Sequence, residues 1–183
     1  MLDQNFFLRD TREVARDLLG KYLYRETGGR IYRGIISETE AYHGTEDLAC
    51  HCSKGKTPRT DIMFAEGGNI YVYLIYGMYE MLNFTTMPEG FPAAVLIRAL
   101  MQPQILQNGK FVDLENKTDG PGKLTRSFDI DRRLNRKRLG KNTGLWVEES
   151  GIQPGEIIHT PRIGVDYAQE WKDKPWRYLI KKL

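Results

Sequence analysis

The run Ile70-Tyr71-Val72-Tyr73-Leu74-Ile75-Tyr76 constrains the fold more than any other part of the chain. Its residues are β-branched, aliphatic or aromatic, and they read as a strand. Gly67-Gly68-Asn69 precedes it as a turn signal, and Gly77-Met78 interrupts it before Tyr79 to Thr86 resumes an extended pattern. A β-hairpin is expected, with Tyr76 and Met78 at its tip, although Gly-Met is a weaker turn signal than Asn-Gly. By alternation Tyr71, Tyr73 and Ile75 share one face, and Val72, Leu74 and Tyr76 the other. Both faces are apolar, as in a strand buried on two sides. The tip resists that reading, because hairpin tips usually face water. A large apolar wedge at a tip can enter a minor groove and unstack a base step.

Around this hairpin the chain reads as many strands and few helices. Asp10 caps a helix that begins at Thr11-Arg12-Glu13, and Gly20 stops it. Lys21 to Arg25 and Ile31 to Tyr42 alternate as strands, joined by the turn Thr27-Gly28-Gly29-Arg30. His43 to Thr60 reads as a loop with one helical turn near Asp47 to Cys50. Ala94 to Leu100, Leu145 to Glu148, Glu156 to His159 and Trp176 to Ile180 are further strands. Asp119 to Leu124 is a turn leading into a helix, and Gln102 to Asn116 gives no clear signal. No repeat and no linker divides residues 1–183. The expectation is one α+β domain: a curved, mainly antiparallel sheet with a protruding hairpin and a few surrounding helices.

Composition sets bounds on function. With 40% hydrophobic and 28% charged residues the chain can bury a core. The net charge of +3 permits nucleic-acid binding without arguing for it. No apolar run reaches the roughly 18 residues of a membrane helix, and Met1 to Asn5 does not resemble a signal peptide. Cys50 and Cys52 cannot build a disulfide framework, and one intervening residue is tight for a bridge. A reducing cytosolic setting is the simplest expectation.

Five groups of residues carry chemistry. On a strand through Ile36-Ser37-Glu38-Thr39-Glu40-Ala41-Tyr42, the side chains of Glu38, Glu40 and Tyr42 share a face. They make either the floor of a polar pocket or a solvated strand edge, and alternation does not choose between the two carboxylates. His51 sits within Cys50-His51-Cys52, a triplet reminiscent of zinc sites. With only His43 and His159 besides, the ligand count falls short of a structural site. Thr57-Pro58-Arg59-Thr60 has the hydroxyls, cation and backbone amides that suit a phosphate oxygen, or is an ordinary surface loop. The tyrosine hairpin is the fourth group, with Asn83 on its return strand. Arg98, a lone charge in Val95-Leu96-Ile97-Arg98-Ala99-Leu100, is either paired or on a polar face.

Taken in order, these fragments resemble the alkyladenine (3-methyladenine) DNA glycosylase family. The resemblance rests on Glu38 to Tyr42, His51, Thr57-Pro58-Arg59, Tyr71-Val72-Tyr73, Tyr76 to Tyr79, Asn83 and Leu96 to Leu100. Gly120-Pro121-Gly122-Lys123-Leu124, Arg162-Ile163-Gly164-Val165 and Lys174-Pro175-Trp176-Arg177 extend it, so that it spans about Gly34 to Tyr178. The segment Met101 to Asp119 is short for the family, and the cysteines beside His51 depart from its pattern.

The resemblance implies a monofunctional hydrolase of the N-glycosidic bond in damaged purines, acting on double-stranded DNA; nothing in the sequence demands more than a monomer. Such a base must leave the stack before its bond can be reached. Tyr76 would fill the gap, with Met78 supporting it in the minor groove. Thr57, Arg59 and Lys123 would contact DNA. The base would lie between Tyr42 and the pair His51 and Tyr73. Glu40 would activate the water, and Arg98 and the Ile163 carbonyl would hold it. Asn83 would crowd the exocyclic amine of normal guanine. Neither a metal nor an organic cofactor is implied. The rivals are a nucleic-acid-binding module whose tyrosines merely stack bases, and a small zinc-stabilised binding protein.

Overall fold

A computed structural model describes residues 1–181. Nine antiparallel strands form an open sheet with few helices around it, the expected α+β class. The strands are β1 (Tyr22–Thr27), β2 (Arg30–His43), β3 (Ile70–Ile75), β4 (Tyr79–Thr85), β5 (Ala93–Gln107), β6 (Lys110–Asp113), β7 (Leu145–Glu148), β8 (Ile157–Thr160) and β9 (Arg177–Ile180). Their main order is β3-β4-β5-β2-β1-β7. β6 continues from β5, and β9 pairs with both β2 and β8. The long partners β2 and β5 form the spine, from Tyr32 opposite Ile105 to His43 opposite Ala93.

Period-two alternation on four adjacent strands makes one apolar face and one working face. Val72 on β3, Leu82 and Phe84 on β4, Val95 and Ile97 on β5 and Ala41 on β2 enter the main core. The helices α1 (Gln4–Phe7), α2 (Thr11–Asp17) and α3 (Pro121–Ser127) contribute Phe7, Val14, Ala15 and Leu124 to that core. Their neighbours in sequence point the other way. Tyr71, Tyr73, Met81, Asn83, Ala94, Leu96 and Arg98 all line one cavity. On β2 strict alternation would put Ile36 beside Glu38 and Glu40. Register shifts on both sides of Glu38 break it, so Ile36 stays in the core while Glu38 turns to Arg98. Such bulges re-aim side chains.

Several local expectations need correcting. Asp10 caps α2 by accepting from the Arg12 backbone N–H, one position earlier than a capping box uses. The unassigned stretch 102–116 is the end of β5 and all of β6, turning at Asn108 and Gly109, both with positive φ. β3 stops at Ile75. Tyr76 (φ 52°) and Gly77 (φ 68°) are turn residues, so Tyr76 leaves the Val72 face and returns to the mouth of the cavity. Cys50 and Cys52 are joined as a disulfide across His51, which sequence spacing had made seem too tight. Cys50 is extended and the chain then coils at His51–Lys54, leaving the two Cα atoms 5.1 Å apart, within disulfide range. Gly67 is needed for close approach, because a Cβ there would lie 2.3 Å from the Phe7 carbonyl oxygen.

Candidate active site

The working face floors a cavity of about 220 Å³, below the usual drug-sized pocket and suited to one flat heterocycle. Three segments wall it. β3 and β4 bring Tyr71, Tyr73 and Asn83. The loop after β2 brings His51, held by the short coil it opens. The segment after β8 brings Ile163, Val165 and Tyr167. That last segment is far away in sequence. It arrives because β8 pairs with β9, and β9 pairs with β2 at Glu38, Thr39 and Glu40.

Glu40 lies under this cavity and is fully buried. Its partners, not Glu40 itself, line the cavity wall. The Tyr42 hydroxyl donates to Oε2 at 2.7 Å, and the Ile163 backbone N–H donates to Oε1 at 2.8 Å. An Arg98 Nη lies 3.3 Å from Oε2. Glu38 is placed differently. Arg98 Nε and Arg177 Nε both donate to its Oε1, at 2.8 and 2.6 Å, outside the cavity lining. Arg98 is therefore paired, one of the two readings left open by its strand. Burial lowers its pKa, and the charges of Glu40 and Glu38 outweigh that and hold it above the ordinary arginine value.

The aromatic walls are held in their neutral forms. Burial, and then the Glu40 charge, push the Tyr42 hydroxyl well above its usual range. Burial does the same to Tyr73. His51 drops to about 4, first through burial and then through the nearby charges of Arg59 and Lys54. Its Nδ1 is 3.1 Å from the Tyr71 hydroxyl, and its ring meets Tyr73 edge-on at 4.6 Å. Both amide hydrogens of Asn83 are engaged, by the carbonyls of Tyr71 at 3.2 Å and Met81 at 3.1 Å.

The structure gathers Glu40, Arg98, Tyr42, His51, Tyr73, Asn83 and Ile163 at this site. Ile163 reaches Glu40 with its backbone N–H. Tyr76 is 81% exposed at the rim and Met78 is 63% exposed beside it, so both are open to a partner. Arg59 lies 5.2 Å above the Tyr73 ring. The Thr57 hydroxyl is turned inward on Thr60 Oγ1 at 2.9 Å. Lys123 is exposed on the first turn of α3 and paired with Asp119 at 2.9 Å. Sequence reasoning gave no role to Tyr71, Tyr167 or Asp47. For Asp47 the only signal was an acidic pair, Glu46-Asp47, in a loop between Tyr42 and His51. Among the described residues, no three His, Cys, Asp or Glu side chains cluster as metal ligands would. No described helix is long and apolar enough to cross a membrane.

Comparison with known proteins bears on this arrangement. Residues 5–183 match the family model described as Methylpurine-DNA glycosylase (MPG). A relative from Legionella pneumophila (strain Lens), named "Putative 3-methyladenine DNA glycosylase", is 47% identical over 98% of this chain and 94% of its own. Relatives of the same name from Methanocella arvoryzae and Myxococcus xanthus are 46% and 43% identical. They cover 99% and 98% of this chain and 92% and 90% of their own lengths. On these matches the chain belongs to the methylpurine-DNA glycosylase family.

Proposed function

We propose that the protein is a DNA glycosylase that hydrolyses the N-glycosidic bond of a flipped-out damaged purine, with Glu40 activating the water. The observation that carries this reading is the aromatic cavity of Tyr42, His51 and Tyr73 above the buried Glu40, with its ion-pair partner Arg98 in the cavity wall. A flipped purine slides between the rings. Stacking returns about 1–3 kcal/mol per contact, which is comparable to the cost of unstacking. Neutral aromatic faces also attract an alkylated, cationic purine. Tyr76 enters the vacated space in the stack and Met78 supports it, because both are large, apolar and exposed at a hairpin tip. Thr57, Arg59 and Lys123 meet the DNA backbone.

A carboxylate offers about four lone-pair sites. Two of those on Glu40 are taken by the Tyr42 hydroxyl and the Ile163 N–H, Arg98 pairs with Oε2 at 3.3 Å, and a water aimed at the sugar C1′ would take a lone pair left free. Positioned general-base help is worth about 10²–10⁴-fold. The carboxylate charge also favours an oxocarbenium-like sugar. With one water as nucleophile and no lysine Schiff base, the product is an abasic site in an intact strand. Asn83, its amide fixed by two carbonyls, crowds the exocyclic amine of normal guanine. The substrates fitting this site are 3-methyladenine, 7-methylguanine, hypoxanthine and ethenoadenine.

Duplexes carrying each lesion test the reading. We expect free base in solution and a strand that breaks only on later treatment with alkali. Binding without base release would favour the stacking module, and direct strand breakage would contradict the single-water mechanism.

A further inference from the structure

The proposed chemistry leaves the Asp47–Arg162 ion pair without a part, yet both side chains are fully buried beside the site. One Arg162 Nη donates to Asp47 Oδ2 at 2.6 Å and to the Ala41 carbonyl at 2.8 Å. The other donates to Asp47 Oδ1 at 2.8 Å and to the Trp171 carbonyl at 3.2 Å. The guanidinium carbon lies 4.8 Å from the Tyr42 ring centroid and 5.1 Å from that of Trp176. Asp47 also accepts the backbone N–H groups of Ala49 and His43.

Stability alone is a poor reason for this arrangement. Desolvation of a buried pair can exceed its Coulombic gain, and apolar residues of similar volume often do as well. Arg162 Nε is buried and has no partner among the described residues, which adds to the cost. What the pair does have is a location. Ala41 follows Glu40, Tyr42 comes next, and Ile163 follows Arg162. Both hydrogen-bond donors to Glu40 are thus held from one guanidinium.

We propose that Asp47 and Arg162 are a positioning pair that aims the Tyr42 hydroxyl at Oε2 of Glu40 and the Ile163 N–H at Oε1. The inference rests on Glu40 being the carboxylate that activates water. Arg162 is anchored through its plane, so the peptide that carries the Ile163 N–H cannot swing. Packing against the Tyr42 ring fixes its tilt over Glu40. The orientation of the Glu40 carboxylate is then fixed.

Single-turnover base release separates this role from a purely structural one. Arg162→Lys keeps the charge and loses the planar fork. At a temperature where circular dichroism shows it folded, it should release base about 10²-fold more slowly, the scale of a 1 Å misplacement. Its affinity for undamaged duplex should be unchanged. Asp47→Leu combined with Arg162→Met should melt at or above the wild-type temperature and stay equally slow. Wild-type rate in Arg162→Lys, or recovery of rate together with melting temperature in the apolar pair, would overturn the proposal. If neither folds, the near-isosteric Asp47→Asn decides by the same rate criterion. Glu40→Gln run alongside keeps the two ideas apart. Full release by Glu40→Gln removes the water-activating role itself. A dead Glu40→Gln with a fast Arg162→Lys removes only the positioning pair.

Discussion

Glu38 and Glu40 stand two residues apart on β2, and Arg98 touches both. Their surroundings differ. Glu38 balances two arginines, whereas Glu40 accepts from a tyrosine hydroxyl and a backbone amide that both belong to the cavity wall. Alternation in the sequence could place the two acids on a face but could not distinguish them, because the distinction comes from Ile163, 123 residues away. His51 offers a test at the same scale. Its pKa is about 4 when folded, against 6.5 for the free side chain. Below pH 6.5 the unfolded chain takes up a proton that the folded chain refuses. His51 therefore contributes stability that is complete above pH 6.5 and is lost as pH falls through about 4. The melting temperature of His51→Phe should fall less steeply than that of wild type across this window. Parallel curves would mean that His51 is not held neutral by its burial.

The β3–β4 hairpin shows how much an element carries beyond its pattern. Its existence and its tip were legible from the apolar run and the Gly77 break. The orientation of Tyr76 was not, since strand alternation cannot see where a turn begins. Tyr76 sits at φ 52°, a conformation that suits glycine and costs another L-residue about 1–2 kcal/mol. Tyr76→Gly should therefore unfold at the same or a higher denaturant concentration than wild type. It should also bind a duplex with an abasic-site analogue more weakly. Retained affinity would contradict the wedge role, and a large loss of stability would contradict the strain. The β5–β6 turn teaches the reverse lesson. Asn108-Gly109 is the strongest short hairpin signal there is, but weak alternation on either side hid it.

Across the whole molecule, four adjacent strands sort their residues between a core face and a working face, and most of that sorting was readable from period two alone. The partners that complete the site were not, because the β2–β9 pairing and the Asp47–Arg162 contact are tertiary and span more than a hundred residues. The resemblance offered a role for Ile163 that local physics could not, and none for Asp47 or Arg162. Charge behaves similarly. The net +3 hides a surface where Arg132, Arg133, Arg136 and Arg138 each face a carboxylate. Arg59, exposed beside the cavity, makes no ion pair among the described residues. Arg59→Ala should reduce the slope of log affinity against log salt by about one unit on any duplex sequence. An unchanged slope would remove Arg59 from the backbone contacts. The proposed mechanism turns on Glu40 as the residue that activates the water. Single-turnover excision from a hypoxanthine-containing duplex by Glu40→Gln, with binding to the same duplex measured in parallel, tests it most directly. The predicted result is a rate lower by at least about 10²-fold with binding retained. Base release at the wild-type rate would contradict it.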